Sequence, residues 1–318
     1  MRLASFRSTT QPMNLVKAIL LKLMSAFLFA MMSVLVRYLG ETYPVGQVVF
    51  FRSAFAILPV VIIYAWRREL MAAIRIGRPL AHIGRGGTAV GAMFCNFSSL
   101  ARLPVVDATA ISFASPLMTV ALSALFLNER VRIYRWSAVV VGFAGVLVML
   151  APHFDVSRTA ASTLAMTGAA FGLAGAFFSA ASTVQTRALT KSETTSSIVF
   201  YFSLICALAG LCTLPFGWLA PRWPELAALI AIGVFGGLAH ILLTESYRLA
   251  QASLVAPFDY TSMLWALVLG FLVFGEVPDA LVFVGAAIIA GAGLFVIWRE
   301  RQLGLQRARA AEGPPTGT

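Results

Sequence analysis

The chain from Thr244 to Trp298 reads TESYRLAQASLVAPFDYTSMLWALVLGFLVFGEVPDALVFVGAAIIAGAGLFVIW, and this stretch decides the fold because an earlier stretch repeats its plan. The earlier copy, from Asn96 to Leu150, reads NFSSLARLPVVDATAISFASPLMTVALSALFLNERVRIYRWSAVVVGFAGVLVML. A shift of 147 positions (276 minus 129) lays Glu129 on Glu276, and after each glutamate the chain runs into a Gly/Ala-rich apolar segment. A plan that recurs at a fixed spacing indicates an internal repeat.

A second match joins the front of each half of the chain. At a shift of 150 positions, VVFFRS (Val48 to Ser53) falls on IVFYFS (Ile198 to Ser203). The same shift lays Arg37 on Arg187. The chain is therefore predicted to consist of two copies of one unit.

The composition places the chain in a membrane. Of its 318 residues, 59% are hydrophobic and 12% are charged, and the mean hydropathy is +0.86. A soluble globular domain has roughly 25% charged residues, so that class is excluded. An apolar helix needs about 20 residues to cross the hydrocarbon core, which leaves room for about ten such helices and for no separate soluble domain.

The apolar runs predict ten transmembrane helices. Their periodicity is helical, and they are too long to be barrel strands of about ten alternating residues. The third span contains Arg85 and Asn96 within its apolar run. The predicted spans are Leu15 to Leu39, Val45 to Trp66, Leu80 to Ala101, Val105 to Leu127, Ile133 to Ala151, Thr163 to Leu189, Ser197 to Leu219, Glu225 to Leu249, Ala252 to Phe274 and Asp279 to Trp298.

The loop charges predict the orientation, because Lys and Arg in short loops are retained in the cytoplasm. With the N-terminus inside, seventeen lysines and arginines fall on the cytoplasmic side, and only Arg37, Arg102, Arg158 and Arg222 lie opposite. Both termini are therefore predicted to be cytoplasmic, in a bacterial-type inner (plasma) membrane. The formal net charge of +11 follows mostly from this topology and does not indicate nucleic-acid binding.

The number of spans predicts how the two copies are related. Each copy holds five spans, an odd number, so the second copy enters the membrane from the opposite face. The predicted fold is an all-α polytopic membrane protein with ten transmembrane helices in two inverted five-helix repeats. Inverted repeats recur in secondary transporters, which bind substrate near the midplane, although channels and membrane enzymes can also be duplicated.

The predicted units follow from these spans. Residues 1–14 form a cytoplasmic tail, 15–151 the first repeat, 152–162 a linker and 163–298 the second repeat. Residues 299–318 form a basic cytoplasmic tail, which is polar, contains Pro and Gly, and is expected to be disordered.

The paired endings FLNERVRIYRWSAVVVGFAGVLVML and FGEVPDALVFVGAAIIAGAGLFVIW resemble the two EamA domains of the drug/metabolite transporter superfamily. The resemblance extends from the first span to Trp298. It implies ten helices, a central cavity between the halves, and movement of a small organic solute by alternating access. Proteins similar to riboflavin importers, S-adenosylmethionine importers and amino-acid exporters share these features, and the sequence does not separate their substrates.

Polar side chains inside the spans are the best guide to a substrate site, because they are costly in the membrane. In the first span, Phe29 and Ser33 share a face with Lys22, Ser25 and Arg37 at steps of three and four. In the sixth span, a corresponding face carries Ser179, Ser182, Thr183, Thr186 and Arg187. The alternative is hydrogen bonding between helices, which contributes about 0.6 kcal/mol on average in membranes.

Further candidates lie on four other spans. The fourth and ninth contain prolines that are expected to kink the helix and free a backbone carbonyl, which is tolerated where it lines a cavity. Trp265 could alternatively face lipid. The substrate-binding candidates on these spans are Phe94 and Asn96 (third), Ser112 and Ser115 (fourth), His240 (eighth), and Tyr260 and Trp265 (ninth). The aromatic residues among the candidates suit a flat, partly apolar ligand such as riboflavin or an aromatic amino acid.

Two carboxyl groups are candidates for coupling transport to an ion gradient. Inside a helix bundle, loss of solvation favours the neutral form of a carboxyl group, so it can carry a proton. Asp259 is the first candidate and Glu245 the second. The alternatives are that Asp259 pairs with Arg52 or Lys22 or binds a cationic part of the substrate, and that Glu245 forms an ion pair with Arg248. Protons or a counter-substrate are thus the expected partners in coupling.

Enzymatic chemistry finds no support in the motifs. The chain contains no HExxH, GxSxG or GxxxxGK motif. The three histidines lie in separate regions without the spacing of metal ligands, so neither a metal nor another cofactor is expected. The predicted function is secondary transport of a small organic molecule across a lipid bilayer, with no nucleic-acid partner and a homodimer left open. The alternative is a membrane-embedded enzyme acting on lipid.

Overall fold

The computed structural model describes residues 12–66, 77–126, 133–151, 159–189, 192–249, 258 and 261–311. Within these ranges the chain is helical and contains no strand. The predicted all-α class is therefore confirmed. Glu129, Asp259 and Tyr260 lie outside the described residues.

Eleven α-helices follow one another along the described chain. They are α1 (Pro12–Gly40), α2 (Val45–Trp66), α3 (Pro79–Leu100), α4 (Val105–Ser112), α5 (Ala114–Phe126), α6 (Ile133–Leu150), α7 (Thr159–Leu189), α8 (Thr195–Leu211), α9 (Trp223–Leu249), α10 (Thr261–Phe274) and α11 (Ala280–Ala311). A 3-10 turn, Leu214–Phe216, follows α8.

Some of the described helices have the length of membrane spans, and their outer surfaces are apolar. Four contain segments long and apolar enough to cross a bilayer, namely Val16–Gly40, Val45–Ile62, Thr163–Thr186 and Trp223–Ser246. Shorter apolar helices accompany them elsewhere in the described chain. Large apolar side chains remain exposed on the outer faces, for example Ile62 (64%) and Leu272 (72%). Exposed apolar surface of this kind needs lipid around it, and the chain is a multi-pass membrane protein.

The predicted fourth span consists of two helices joined at Phe113. Helix α4 ends at Ser112 and α5 begins at Ala114. Pro116, in the first turn of α5, has no N–H to donate to the carbonyl of Ser112 four residues earlier. The sequence predicted a kink at this proline, and the structure has a break in the helix at Phe113, three residues before it.

The seventh span is shorter than predicted. Helix α8 ends at Leu211 rather than Leu219. Pro215 lies in the 3-10 turn that follows, and Gly217 adopts a left-handed conformation (φ 85°) that other residues rarely take. Backbone geometry therefore ends the helix before the apolar run ends.

The expectation of disorder directly after Trp298 is wrong for the first part of the tail. Helix α11 continues to Ala311. The residues from Arg299 to Ala311 are mostly Arg, Gln, Leu and Ala, which are strong helix formers. The prolines and the last glycines, which favoured disorder in the prediction, come only after this helix.

The packing of the helices joins the two halves of the chain. Helix α1 packs along α9, and α3 packs along α7. Helices α1 and α7 are the first spans of the two halves, and α3 and α9 are the third spans. In each of these two contacts, the first span of one half therefore packs along the third span of the other half. The equivalent helices α2 and α8 contact each other, as do α6 and α11.

Glycines bring α2 and α9 close together at the centre of the bundle. A Cβ atom at Gly233 would lie 2.9 Å from the carbonyl oxygen of Phe51, and one at Gly237 would lie 3.0 Å from that of Ala56. Both distances are too short for a side chain. Small residues at this one-turn spacing let membrane helices approach to backbone contact, so the side chains beside them are held at the interface between the halves.

Candidate functional site

Charged and aromatic side chains from both halves meet between the helices, and we call them the central cluster. The ring centre of His240 lies 5.0 Å from that of Phe29 and 6.1 Å from that of Phe202. The guanidinium carbons of Arg52 and Arg85 lie 5.4 Å and 5.0 Å from the centre of the same Phe202 ring. The central cluster consists of Phe29, Arg52, Arg85, Phe202 and His240.

Each residue of the central cluster lies well inside its helix. Arg52 and Arg85 lie about two turns from the first residues of α2 and α3. Phe29, Phe202 and His240 lie about two turns or more from the nearer ends of α1, α8 and α9. Helices α1 to α3 belong to the first copy of the repeat, and α8 and α9 to the second. The cluster is therefore internal and is built by both halves.

Arg85 is anchored by hydrogen bonds to two helices of the other half. Its Nε atom donates to Oγ1 of Thr186 in α7 at 2.7 Å. Its Nη1 atom donates to the carbonyl oxygen of Ile198 in α8 at 3.1 Å. These bonds connect α3 to α7 and α8, so Arg85 holds the halves together as well as presenting a charge to Phe202.

Arg52 is buried, and two of its donor atoms have no such anchors among the described residues. The residue is 4% exposed, and its Nε and Nη1 atoms have no hydrogen-bond acceptor among the described residues. A Cβ atom at Gly236 would lie 3.3 Å from Nε of Arg52 and 3.0 Å from the sulfur of Met32. The absent side chain at Gly236 leaves room for the guanidinium of Arg52 to lie against α9.

The structure places two of the predicted substrate-binding residues, Phe29 and His240, in the central cluster. Sequence reasoning missed Arg52, Arg85 and Phe202 as site residues. The signal for the arginines was present, since a charged side chain within an apolar span is rare and costly. The repeat also pointed to Phe202, because the shift of 150 positions lays Arg52 on it.

Asn96 and Ser179 form a separate contact between α3 and α7. Nδ2 of Asn96 donates to Oγ of Ser179 at 3.3 Å. A Cβ atom at Gly175 would lie 2.4 Å from Oδ1 of Asn96, so the helices are closely packed there. This contact matches the alternative that polar residues of the stripes bond between helices.

Several predicted hydroxyl residues bond to their own helix. Ser33 Oγ donates to the carbonyl oxygen of Phe29 at 3.0 Å, Ser112 Oγ to that of Thr109 at 2.6 Å, and Thr183 Oγ1 to that of Ser179 at 2.9 Å. The carbonyl of Ser115 accepts from Thr119 Oγ1 at 2.9 Å, and Phe94 packs against the hydrophobic core. Such local bonds satisfy Ser and Thr without a ligand, and the role of these residues in binding stays a prediction.

Trp265 packs against Phe27 of α1. Phe27 is two residues from Phe29 and therefore lies on the opposite side of α1 from that residue of the central cluster. The two rings meet edge to face, with centres 5.0 Å apart and planes at 70°. Nε1 of Trp265 is buried and has no acceptor among the described residues. Trp265 is half-buried rather than fully exposed, so it is not a purely lipid-facing residue.

Of the two coupling candidates, only Glu245 lies within the described residues. It is half-buried in the last part of α9. Beside it, Oγ of Ser246 donates to the carbonyl oxygen of Ala18 at 2.8 Å, which ties this end of α9 to α1. Asp259 and its neighbour Tyr260 fall outside the described residues, so their roles stay predictions.

Glu276, the repeat glutamate of the second half, connects three segments at one end of the bundle. Its Oε2 accepts a hydrogen bond from the N–H of Val105 at 2.9 Å, at the start of α4. Its Oε1 lies 3.6 Å from Nε of Arg37, whose Nη1 donates to the carbonyl of Ala101 at 3.1 Å. Burial raises the pKa of Glu276, whereas the Val105 N–H and Arg37 act to lower it and Asp107 adds to the rise.

Glu193 makes an equivalent kind of connection between α7 and α3. Its Oε1 accepts hydrogen bonds from the N–H groups of Gly77 at 2.9 Å and Arg78 at 2.7 Å. These groups precede α3, so the carboxylate compensates the positive end of that helix. Oε2 of Glu193 lies 3.7 Å from Nε2 of the buried His82.

Known proteins match the chain along nearly its whole length. The model of the EamA-like transporter family matches residues 16–151 and 166–299. The S-adenosylmethionine uptake transporter of Rickettsia bellii is 32% identical over 272 residues, covering 85% of this chain and 89% of that protein. The pseudopaline exporter CntI of Pseudomonas aeruginosa is 33% identical over 280 residues, covering 86% and 93%.

Two further likenesses extend the comparison. The riboflavin transporter of Rhizobium johnstonii is 28% identical over 296 residues, covering 91% of this chain and 94% of that protein. A crystal structure of a protein with 19% sequence identity superposes with a TM-score of 0.63, covering 91% of this chain and 99% of the other. At that identity the likeness shows the fold alone.

Proposed function

We propose, because this chain belongs to the EamA-like transporter family, that the small metabolite it transports contains a flat ring held by the central cluster. The observation that carries this proposal is the contact of Phe29, His240 and Phe202 between the two halves. Aromatic side chains supply large apolar surfaces with defined stacking geometry. A planar ligand is the class that such a site accommodates best.

The relatives support a ring-containing substrate without identifying it. One is named for S-adenosylmethionine and another for riboflavin. Both compounds contain a planar heteroaromatic ring system, although they differ in size and charge. At about 30% identity the relatives have different substrates, so the chemistry of this chain's own residues must decide among them.

The relatives also operate in different directions. One is named an uptake transporter and another an exporter. Alternating access permits either direction, since the net flux depends on the gradients of substrate and coupling ion. We therefore propose the mechanism without assigning import or export.

We also propose that the chain crosses the bacterial plasma membrane ten times, in two inverted repeats. Both termini then lie in the cytoplasm. The packing of the helices supports a two-fold relation between the halves. The α1–α9 contact is equivalent to the α3–α7 contact, and the equivalent helices α2 and α8, and α6 and α11, contact each other. The bias of Lys and Arg toward one set of loops supports the orientation. In such proteins one half rocks against the other around the bound substrate.

A proton or a counter-substrate supplies the driving force in this proposal. Asp259, with Glu245 as the second choice, is the proposed proton carrier. Support for an internal carboxyl group comes from the rule that ionisable residues within membrane spans are usually functional. The family and the named relatives are transporters rather than enzymes acting on lipid.

Uptake by reconstituted liposomes tests the proposed function. Purified protein would be inserted into liposomes and supplied with labelled S-adenosylmethionine, riboflavin and aromatic amino acids. We expect accumulation of at least one of them above protein-free liposomes, and a several-fold loss in Phe29→Ala. Phe216→Ala, in an exposed turn (81% exposed), is the matched control and should transport normally. The proposal fails if none of the compounds is transported or if Phe29→Ala transports as well as the unchanged protein.

A further inference from the structure

Arg52 holds hydrogen-bond donors at the centre of the bundle that the described residues leave unused. The residue is 4% exposed, and neither Nε nor Nη1 has an acceptor there. A guanidinium stays protonated in proteins. A buried ion without a partner is strongly unfavourable. Arg52 therefore has both the charge and the free donors to bind an anionic group.

Arg85 places a second positive charge beside the same aromatic ring. Its guanidinium carbon lies 5.0 Å from the centre of Phe202, and that of Arg52 lies 5.4 Å from it. The ring attracts both cations through its quadrupole but carries no net negative charge. The two charges therefore add to a positive potential inside a region of low dielectric constant.

No carboxylate of the described residues neutralises these two charges. Glu41 and Glu276 pair with Arg37, and Glu193 pairs with His82, so these three carboxylates are used elsewhere in the described chain. Arg85 uses Nε and Nη1 for a hydroxyl and a backbone carbonyl, which are uncharged acceptors. Within the described residues, the central cluster is thus cationic and lacks an internal anion.

We infer that the guanidinium of Arg52, supported by the charge of Arg85, binds a carboxylate group of the transported substrate. A guanidinium and a carboxylate form two parallel hydrogen bonds in one plane, which fixes orientation as well as adding affinity. Phe29, His240 and Phe202 then contact the planar part of the same molecule. The substrate class is an aromatic or heteroaromatic carboxylic acid, and this inference rests on the proposed transport function.

The test compares acids with amines that lack only the carboxylate. The probes are tryptophan against tryptamine, and S-adenosylmethionine against decarboxylated S-adenosylmethionine. Binding to the purified full-length protein is measured as thermal stabilisation across a concentration series, which requires no transport. We expect the acid of at least one pair to act at a concentration at least tenfold lower than its amine.

Three variants assign this preference to Arg52. Arg52→Gln should remove the preference for the acid, because it deletes the charge and keeps much of the shape. Arg52→Lys should keep part of it, since the charge remains while the planar fork is lost. Arg102→Gln is the matched control, because Arg102 also lies over a phenyl ring, that of Phe171 at 5.1 Å, but outside the central cluster. This control should bind as the unchanged protein does.

The possible results separate this inference from the proposed function. An equal response to acid and amine in both pairs, including no response to either, overturns the inference, and so does an acid preference that persists in Arg52→Gln. If Arg52→Gln fails to fold, the acid and amine comparison in the unchanged protein and in Arg52→Lys still decides. Uptake of neutral riboflavin with no acid preference would sink the inference and leave the proposed function standing. Acid-selective binding without uptake in liposomes would contradict the proposed transport, and it would leave Arg52 as a carboxylate-binding residue only.

Discussion

Arg52 and Phe202 occupy equivalent positions in the two copies of the repeat, 150 residues apart, and they contact each other at 5.4 Å from guanidinium carbon to ring centre. Contact between equivalent residues is expected close to an axis that relates two halves. The chemistry of the two positions has diverged, because one copy supplies a charge and the other a ring. The centre of the bundle is consequently positive and aromatic, which a perfect duplication would not produce.

Phe202→Leu is expected to destabilise the protein, because one substitution removes the ring that faces both guanidinium groups. Each cation–π contact contributes about 0.5 to 2 kcal/mol, more when it is desolvated. We expect a loss of about 1 to 3 kcal/mol, visible as a lower midpoint of thermal unfolding in detergent. Phe202→Tyr keeps the ring and should unfold close to the unchanged protein. Equal midpoints for the Leu and Tyr variants would remove the cation–π explanation.

The raised pKa of Glu276 predicts a pH dependence of stability. Burial favours the neutral carboxyl in the folded protein, so its pKa lies above the ordinary value of 4.5 that it takes in the unfolded chain. The folded state therefore binds more protons than the unfolded state between these two values. The contribution of Glu276 to the free energy of unfolding should be largest below pH 4.5. It should fall as the pH rises from 4.5 through the pKa of the folded protein.

Glu276→Gln isolates this contribution, because the amide keeps an oxygen for the Val105 N–H and cannot titrate. Thermal midpoints of both proteins would be measured across the acidic to neutral range. The difference between them should change with pH in the window above 4.5 and level off at higher pH. Glu193→Gln alters the carboxylate before α3 instead and serves as the comparison. A constant difference between Glu276→Gln and the unchanged protein would contradict the assignment to Glu276.

Much of the architecture could be predicted from the sequence because membrane insertion leaves a strong compositional signal. The long apolar runs and the recurring glutamate were sufficient to predict the helical class and the family. The backbone preferences of individual residues determine some helix ends that hydropathy alone does not predict. Pro215 and Gly217 end α8 early, while the helix-forming residues after Trp298 continue α11 into the tail.

The site was predicted less completely, because the periodicity of a polar stripe does not reveal what each side chain contacts. Ser33 lies on the predicted face, yet its hydroxyl donates to its own helix at the carbonyl of Phe29. Glu276 was recognised as a marker of the repeat, but its bond to the N–H of Val105 spans 171 positions and requires the folded chain. The sequence shows Arg52 only as a charge within an apolar span, and its neighbours Phe202 and Gly236 come from other helices.

Opposite sidedness of two loops tests the inverted repeat. Thr42 and Ser192 follow α1 and α7, the first helices of each half, and both are exposed. In a background without Cys95, Cys206 and Cys212, single cysteines at these two positions would be treated with a membrane-impermeant thiol reagent on intact cells. We expect the cysteine at 42 to react from outside and the cysteine at 192 to react only after the membrane is opened. Reaction of both from the same side would show that the halves are not inverted.

Trp265→Ala is expected to lower uptake several-fold while leaving membrane insertion intact. The substitution removes the edge-to-face contact with Phe27 and a buried indole N–H that has no acceptor within the described residues. Trp265→Phe keeps a ring but has no N–H, so a partial loss in this variant would separate the two effects. Trp223→Ala, at an exposed position (85% exposed), is the control for loss of an indole. Normal uptake in Trp265→Ala would exclude Trp265 from the substrate path.

The last prediction concerns coupling through Asp259. A carboxyl group inside the bundle can take up a proton on one side of the membrane and release it on the other, because loss of solvation favours its neutral form. Asp259→Asn keeps the shape of the side chain and cannot release a proton. If Asp259 carries the coupling proton, this variant should lose accumulation driven by a pH gradient and keep the exchange of labelled for unlabelled substrate across the liposome membrane.

The alternatives for Asp259 give different results in the same liposomes. A residue that binds a cationic part of the substrate would be needed in every cycle, so Asp259→Asn would lose exchange together with accumulation. A residue that only neutralises Arg52 or Lys22 would leave a buried positive charge behind, and the variant would be less stable to heat. Glu245→Gln, the second candidate, is measured in parallel, and a selective loss of accumulation there would move the coupling role to Glu245. Accumulation that still follows an imposed pH gradient in Asp259→Asn would exclude Asp259, because no proton can then pass through that position.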